Sequence, residues 1–141
     1  MLQQISLFLE NRAGQLSEVA ALLAEKGVDM RALNIAETAE YGVLRLITAD
    51  PLRAASVLKE AGFLVSLTPV LAIAVPDRPG ALCDILDAFA ADGIDISYMY
   101  SMFGKKEGLA YMIFRVADEE KTLRVLARLG VAVIQPEEIG A

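Results

Sequence analysis

Two kinds of hydrophobic spacing alternate along the chain in a fixed order. Ile5-Ser6-Leu7-Phe8-Leu9 and Leu71-Ala72-Ile73-Ala74-Val75 are short apolar runs that stop at turn residues, as buried strands do. Each is followed by apolar residues at i, i+3, i+4 and i+7: Leu16, Val19, Ala20 and Leu23, then Leu82, Ile85, Leu86 and Phe89. That spacing predicts a helix with one core-facing stripe, and Gly27 or Gly93 stands where a left-handed cap ends it. Strand-like stretches at 29–38 with 41–48 and at 95–103 with 108–116 predict hairpins, turning at Ala39-Glu40-Tyr41 and at Gly104-Lys105-Lys106-Glu107. A second amphipathic helix (50–61 and 118–129) and a last strand (63–68 and 131–135) complete the series.

The order β-α-β-β-α-β therefore occurs twice. Asn11-Arg12-Ala13-Gly14-Gln15-Leu16 returns as Asp77-Arg78-Pro79-Gly80-Ala81-Leu82 at an offset of 66, and the same offset carries Gly27, Asp29 and Gly42 onto Gly93, Asp95 and Gly108. The register slips to 68 only at Gly62 and Gly130. The expected domains are residues 1–69 and 70–141.

This is the split β-α-β, ferredoxin-like order, so the fold class is α+β: two units, each a four-stranded antiparallel sheet with both helices on one face. Right-handed crossovers give strand order 2-3-1-4. A unit of this size is marginal alone and has an open edge, which predicts that the copies share a sheet or pack closely. The third strands, Val43, Leu44, Leu46, Ile47 and Tyr111, Met112, Ile113, Phe114, are apolar on both faces, so a covered second face and a homodimer are expected.

Composition narrows the chemistry. The 141 residues include no His, one Cys, and 13 Lys plus Arg against 19 Asp plus Glu, for a net charge of −6. Triads built on His, His-rich metal sites, zinc knuckles and internal disulfides are excluded, so no catalytic residue, metal or cofactor is expected. With 55% hydrophobic residues the chain is globular, and a chain of this length buries roughly 68% of its unfolded surface. An acidic chain without basic, aromatic-rich patches is a poor partner for nucleic acid or anionic membranes. The Met1-Leu2-Gln3-Gln4 start lacks a signal peptide's basic region, no apolar run is long enough to span a bilayer, and one thiol suits a reducing cytoplasm, which is the expected location.

The repeated Asn/Asp-Arg-x-Gly-x-Leu loop joins the first strand to the first helix, where opening N–H groups lack helical partners. Gly14 and Gly80 allow close approach, the helix start favours a carboxylate, and Asn11 or Asp77 lies beside it to meet an ammonium. The same string is also ordinary turn chemistry, which duplication copies as faithfully as a site. Arg12 and Arg78 either steer an anion or are solvated loop charges, and Lys105 and Lys106 read as a wet hairpin tip. Cys83 sits at a helix start, which can lower a thiol's pKa, but its simplest reading is a small buried or half-buried residue.

The element order, the Asp77-Arg78-Pro79-Gly80 type of loop, and Gly27-Val28-Asp29 with Gly93-Ile94-Asp95 before the second strands together resemble a tandem pair of ACT domains over nearly the whole chain. The resemblance implies regulation rather than catalysis, with an amino acid or similar effector held where two domains meet. It places the carboxylate donors at the backbone of Ala13, Gly14, Gln15 and Leu16 and of Pro79, Gly80, Ala81 and Leu82, with Asn11, Asp77 and Arg78 as further contacts. The second strand contributes Asn34 in one copy and Tyr98 and Tyr100 in the other, on the faces of Met30 and Ala32 and of Ile96 and Tyr98. Aromatics are also simply favoured in sheets. Ala13 leaves the first loop less constrained than Pro79 leaves the second, which favours the second. A His near this loop, as in serine-sensing members, is absent. Two functions follow: an amino-acid-sensing regulatory protein, or a small regulatory subunit that docks on a separate metabolic enzyme.

Overall fold

The computed structural model describes residues 1–10, 12–37, 41–103 and 106–139. The elements are β1 (Leu2–Glu10), α1 (Gln15–Glu25), β2 (Met30–Glu37), β3 (Tyr41–Thr48), α2 (Pro51–Glu60), β4 (Val65–Pro76), α3 (Ala81–Ala91), β5 (Ile96–Ser101), β6 (Leu109–Val116), α4 (Glu119–Leu129) and α5 (Pro136–Ile139). The expected hairpin turns at Ala39-Glu40 and Gly104-Lys105 lie outside the described residues, while Lys106 is exposed.

The chain forms two compact units, Gln3–Pro69 with Pro136–Ala141, and Met1–Leu2 with Val70–Gln135. In the first, the strands run β2-β3-β1-β4, the 2-3-1-4 order of a ferredoxin-like sheet. β1 pairs antiparallel with β3 through Ile5 opposite Leu46 and Leu7 opposite Leu44. These four pack with Val19 and Leu23 of α1 and Leu58 of α2 into one core. In the second, β4, β6 and β5 repeat the pattern, with Leu71 opposite Phe114 and Ile73 opposite Met112. Its core joins Leu71, Ile73 and Val75 to Ile85 and Phe89 of α3 and Val125 and Leu126 of α4. The Phe89 and Phe114 rings meet edge to face at 5.8 Å, a geometry that adds about 0.5–1.5 kcal/mol to the area they bury.

Three expectations are corrected. The last strand of the second copy is a single bridge, Ile73 to Val133, held by Ala74 N–H to the Ala132 carbonyl (3.0 Å) and Ile134 N–H to the Ala72 carbonyl (2.7 Å). Pro136, which has no N–H to extend the ladder, then opens α5. The buried stripe of α1 begins at Gln15, not Leu16, which is 40% exposed. Finally, the second strands do not alternate regularly. The register shifts between Met30 and Ala32 and again between Ile96 and Tyr98, so one extra residue, Arg31 or Ser97, reverses the faces. Met30 and Ile96 pack against the helix-side cores, whereas Ala32, Asn34, Tyr98 and Tyr100 lie on the opposite face.

Candidate functional site

The four long helices start in two ways. α2 and α4 are capped by Asp50 and Asp118, whose carboxylates accept from Arg53 N–H (3.1 Å) and Lys121 N–H (3.0 Å). That is ordinary structural capping. α1 and α3 instead follow Gly14 (φ 87°) and Gly80 (φ 86°), left-handed residues without a side-chain cap. Neither glycine has any atom within 4 Å of a Cβ placed on it, so the positive φ, not crowding, is what selects glycine. The N–H of Gln15 and of Ala81 turns back to the carbonyl of Arg12 (3.5 Å) and of Arg78 (3.3 Å), which removes one of the nominated donors from each loop. Asn11 lies outside the described residues. Asp77 is exposed, with its N–H bonded to the Gly108 carbonyl at 2.9 Å.

Beside each loop is a cavity bounded by the end of the first strand, the first helix turn and the turn after the second helix. In the second unit it measures 420 Å³, and in the first 380 Å³. Both fall in the size range of small-molecule pockets. Among the described residues, all nine that line the first have counterparts in the second, at the offset of 66 before the second helix and 68 after it. The cavity was therefore duplicated with the fold.

The two linings differ in chemistry. In the first unit, Gln15 is buried and its Oε1 accepts the Glu10 N–H, closing the strand end. Arg12 is clamped by both carboxylate oxygens of Glu18 (3.1 and 3.0 Å) and by Glu10 (3.3 Å). The hydrogen bond and charge of Glu18, reinforced by Glu10, hold the Arg12 pKa above its ordinary value. In the second unit Ala81 replaces Gln15, Pro76 replaces Glu10 and Ala74 replaces Phe8. Arg78 faces Asp84 at 3.6 Å and also donates to the Pro79 carbonyl at 3.3 Å. The result is an apolar cavity with one cation and one anion at its mouth.

Arg78 and Ala81 thus share a cavity with Asp84, Leu109, Gly130 and Val131, which the loop motif does not reveal. The signal was the loss of Gln15 in the second copy together with the returning Gly62 and Gly130. A second hollow in the first unit, of 380 Å³, brings Arg12, Ala13 and Leu16 together with Ile35 and Gly42, so Ile35 rather than Asn34 is the second-strand residue beside that loop. Asn34 instead accepts from Arg45 at 3.4 Å. Tyr98 and Tyr100 stack on each other at 6.5 Å, Tyr100 being buried, and neither lines the second unit's cavity. Cys83 is exposed rather than buried, and its pKa is raised, first by the charge of Asp87, whose carboxylate lies 3.7 Å from the sulfur, with desolvation and Asp84 adding to it. Among the described residues no group of three His, Cys, Asp or Glu is placed to hold a metal, and no helix is long and apolar enough to cross a membrane.

A family model described as an ACT domain pair matches residues 1–140. The crystal structure of a Bacteroides thetaiotaomicron protein is 37% identical, with 99% of this chain and 95% of that one covered and a TM-score of 0.90. The regulatory subunits of aspartate kinase from Thermus thermophilus (ligand-free form) and Thermus flavus are 18% and 17% identical. They cover 90% and 91% of this chain, which covers 91% and 93% of theirs, at TM-scores of 0.65 and 0.62, a likeness of fold alone. No curated protein matched the chain.

Proposed function

We propose, for a chain that belongs to the ACT domain pair family, that it is a non-catalytic regulatory protein whose state is set by a bound amino acid. The observation that carries this reading is the contrast between capped and uncapped helices. Two helix starts are closed by Asp50 and Asp118, while the two behind the repeated loop are left without a side-chain cap and each adjoins a cavity. Leu82 N–H, at the open end of α3, is a donor suited to a carboxylate, and the partial positive charge of the helix start favours it by about 0.3–1 kcal/mol at an exposed position. Of the two loops the second is the better candidate, because Pro79 fixes its backbone before any ligand arrives. In a homodimer, second-strand residues of a neighbouring unit, Asn34 or Tyr98, complete the contacts, Tyr100 supporting Tyr98 from a buried position. With about ten heavy atoms, a free amino acid is allowed micromolar-to-millimolar affinity, about 0.4–0.8 kcal/mol per atom, well inside ligand-efficiency bounds. Calorimetry against the twenty amino acids tests this: saturable heat with at least one is expected, and neither heat nor a thermal shift at about ten millimolar contradicts it.

A second reading, a small subunit that docks on a metabolic enzyme, is favoured by Leu52 and Leu64, each 70% exposed. The aspartate kinase regulatory subunits that share this fold illustrate such a role. Co-purification of one metabolic enzyme in fixed stoichiometry supports it, whereas a lone dimer that binds ligand supports the first reading.

A further inference from the structure

We infer that the cavity inside the second unit holds the side chain of an apolar α-amino acid, with Arg78 taking its carboxylate and Asp84 its ammonium, and that the matching cavity of the first unit does not. This rests on the amino-acid reading above and adds to it a location within one unit, a ligand class and a difference between the repeats.

The duplication supplies the control. Two cavities of 420 and 380 Å³ are built from corresponding positions, so size does not separate them. Chemistry does. At corresponding positions both keep a cation and an anion, Arg78 with Asp84 and Arg12 with Glu18. In the first unit the cation is already satisfied: Glu18 holds it with two bonds and Glu10 with a third, while Gln15 puts an amide among the lining groups. An apolar side chain placed there would strip water from charged groups without replacing their bonds. In the second unit Pro76 removes the third partner and Ala81 removes the amide. Asp84 carries one methylene fewer than Glu18, and its single contact to Arg78 is looser, at 3.6 Å. What remains is an aliphatic wall, including Ala74, Ile85, Leu109 and Val131, under an exposed pair of opposite charges. A zwitterion presents the complementary pair on one carbon, with its side chain directed away from both. A polar side chain would lose its water in that cavity and gain no partner.

The test uses the full chain and calorimetry with leucine, phenylalanine and serine, together with isocaproate and isoamylamine, which each keep one of leucine's two charges. Leucine or phenylalanine is expected to bind at least tenfold more tightly than serine, and both one-charge analogues at least tenfold more weakly than leucine. The double variant Pro76→Glu/Ala81→Gln writes the first unit's Glu10 and Gln15 into the second unit's lining. Its new Glu N–H and Gln carbonyl are placed to pair as Glu10 and Gln15 do, which guards the fold. Binding is expected to fall at least tenfold in that variant and in Arg78→Gln, with the unfolding midpoint in the absence of ligand kept within a few degrees. Serine binding as tightly as leucine overturns the inference, as does leucine binding that survives the double variant. Both results leave the amino-acid reading standing. A double variant that alters self-association but not leucine binding overturns it as well, and assigns the cavity to a second copy of the chain. Absence of binding by every amino acid overturns the inference and the reading together.

Discussion

At residue 15 and its counterpart 81 the two halves of the chain part company. Gln15 is a buried amide that earns its place by accepting the Glu10 N–H; Ala81 leaves that corner empty. Gln15→Ala should therefore remove the bond to the Glu10 N–H and cost about 0.5–1.5 kcal/mol in urea denaturation, the net contribution of one hydrogen bond. Cys83 offers a second measurement at this scale. Because Asp87 raises its pKa, less thiolate is present at any given pH, so alkylation at pH 8 should be slower than for free cysteine. Asp87→Asn should speed it, and an unchanged rate would show that the carboxylate does not control the thiol. The buried role of Gln15 was hidden in the sequence because hydrophobic spacing points to Leu16, and a buried amide gives no such signal until its partner is known. The replacement of Gln15 by Ala81 was legible, but its meaning depended on the distant turn at Gly130, which only the fold brings beside it.

Helix starts show how much of an element can be read from its ends. Asp50 before Pro51, and Asp118 before Glu119 and Glu120, stand at the first residues of the helices expected from spacing, and the structure shows both as caps. Asp50→Ala and Asp118→Ala should each cost about 1 kcal/mol, seen as a lowered denaturation midpoint without a change in slope. Gly80→Ala keeps the space but not the conformation and should cost about 1–2 kcal/mol, since a Cβ at φ 86° is strained even where no neighbour is close. A loss no larger than at an ordinary exposed site would mean the loop can relax away from its left-handed turn. The second strands were less legible. Hydrophobic alternation assigned Met30 to the face of Ala32, yet a single bulged residue in each copy moves Met30 and Ile96 to the helix side. Bulges have no reliable mark in a single sequence, and one displaced residue reverses every face before it.

For the whole molecule, the duplication was the most legible feature, because helix spacing, glycines and loop motif all repeat in one order. The strand order within the first unit follows from connection handedness alone and is the one observed. A homodimer remains the expected assembly, and sedimentation at micromolar concentration should give twice the monomer mass; a monomer would remove any ligand contact that depends on a second copy. The divergence of the two cavities was not legible as such, since it resides in residues drawn from a strand end, a helix and a later turn. The claim on which the function rests is that a ligand carboxylate is received at the uncapped start of α3, by Arg78 of its loop together with the open N–H groups beside it. Backbone amide NMR tests it most directly: during titration with leucine, the Gly80 and Leu82 signals should shift saturably while those of Arg53 and Lys121, at the Asp-capped helices, stay in place. Unmoved Gly80 and Leu82 signals at ligand concentrations where heat is released would contradict it.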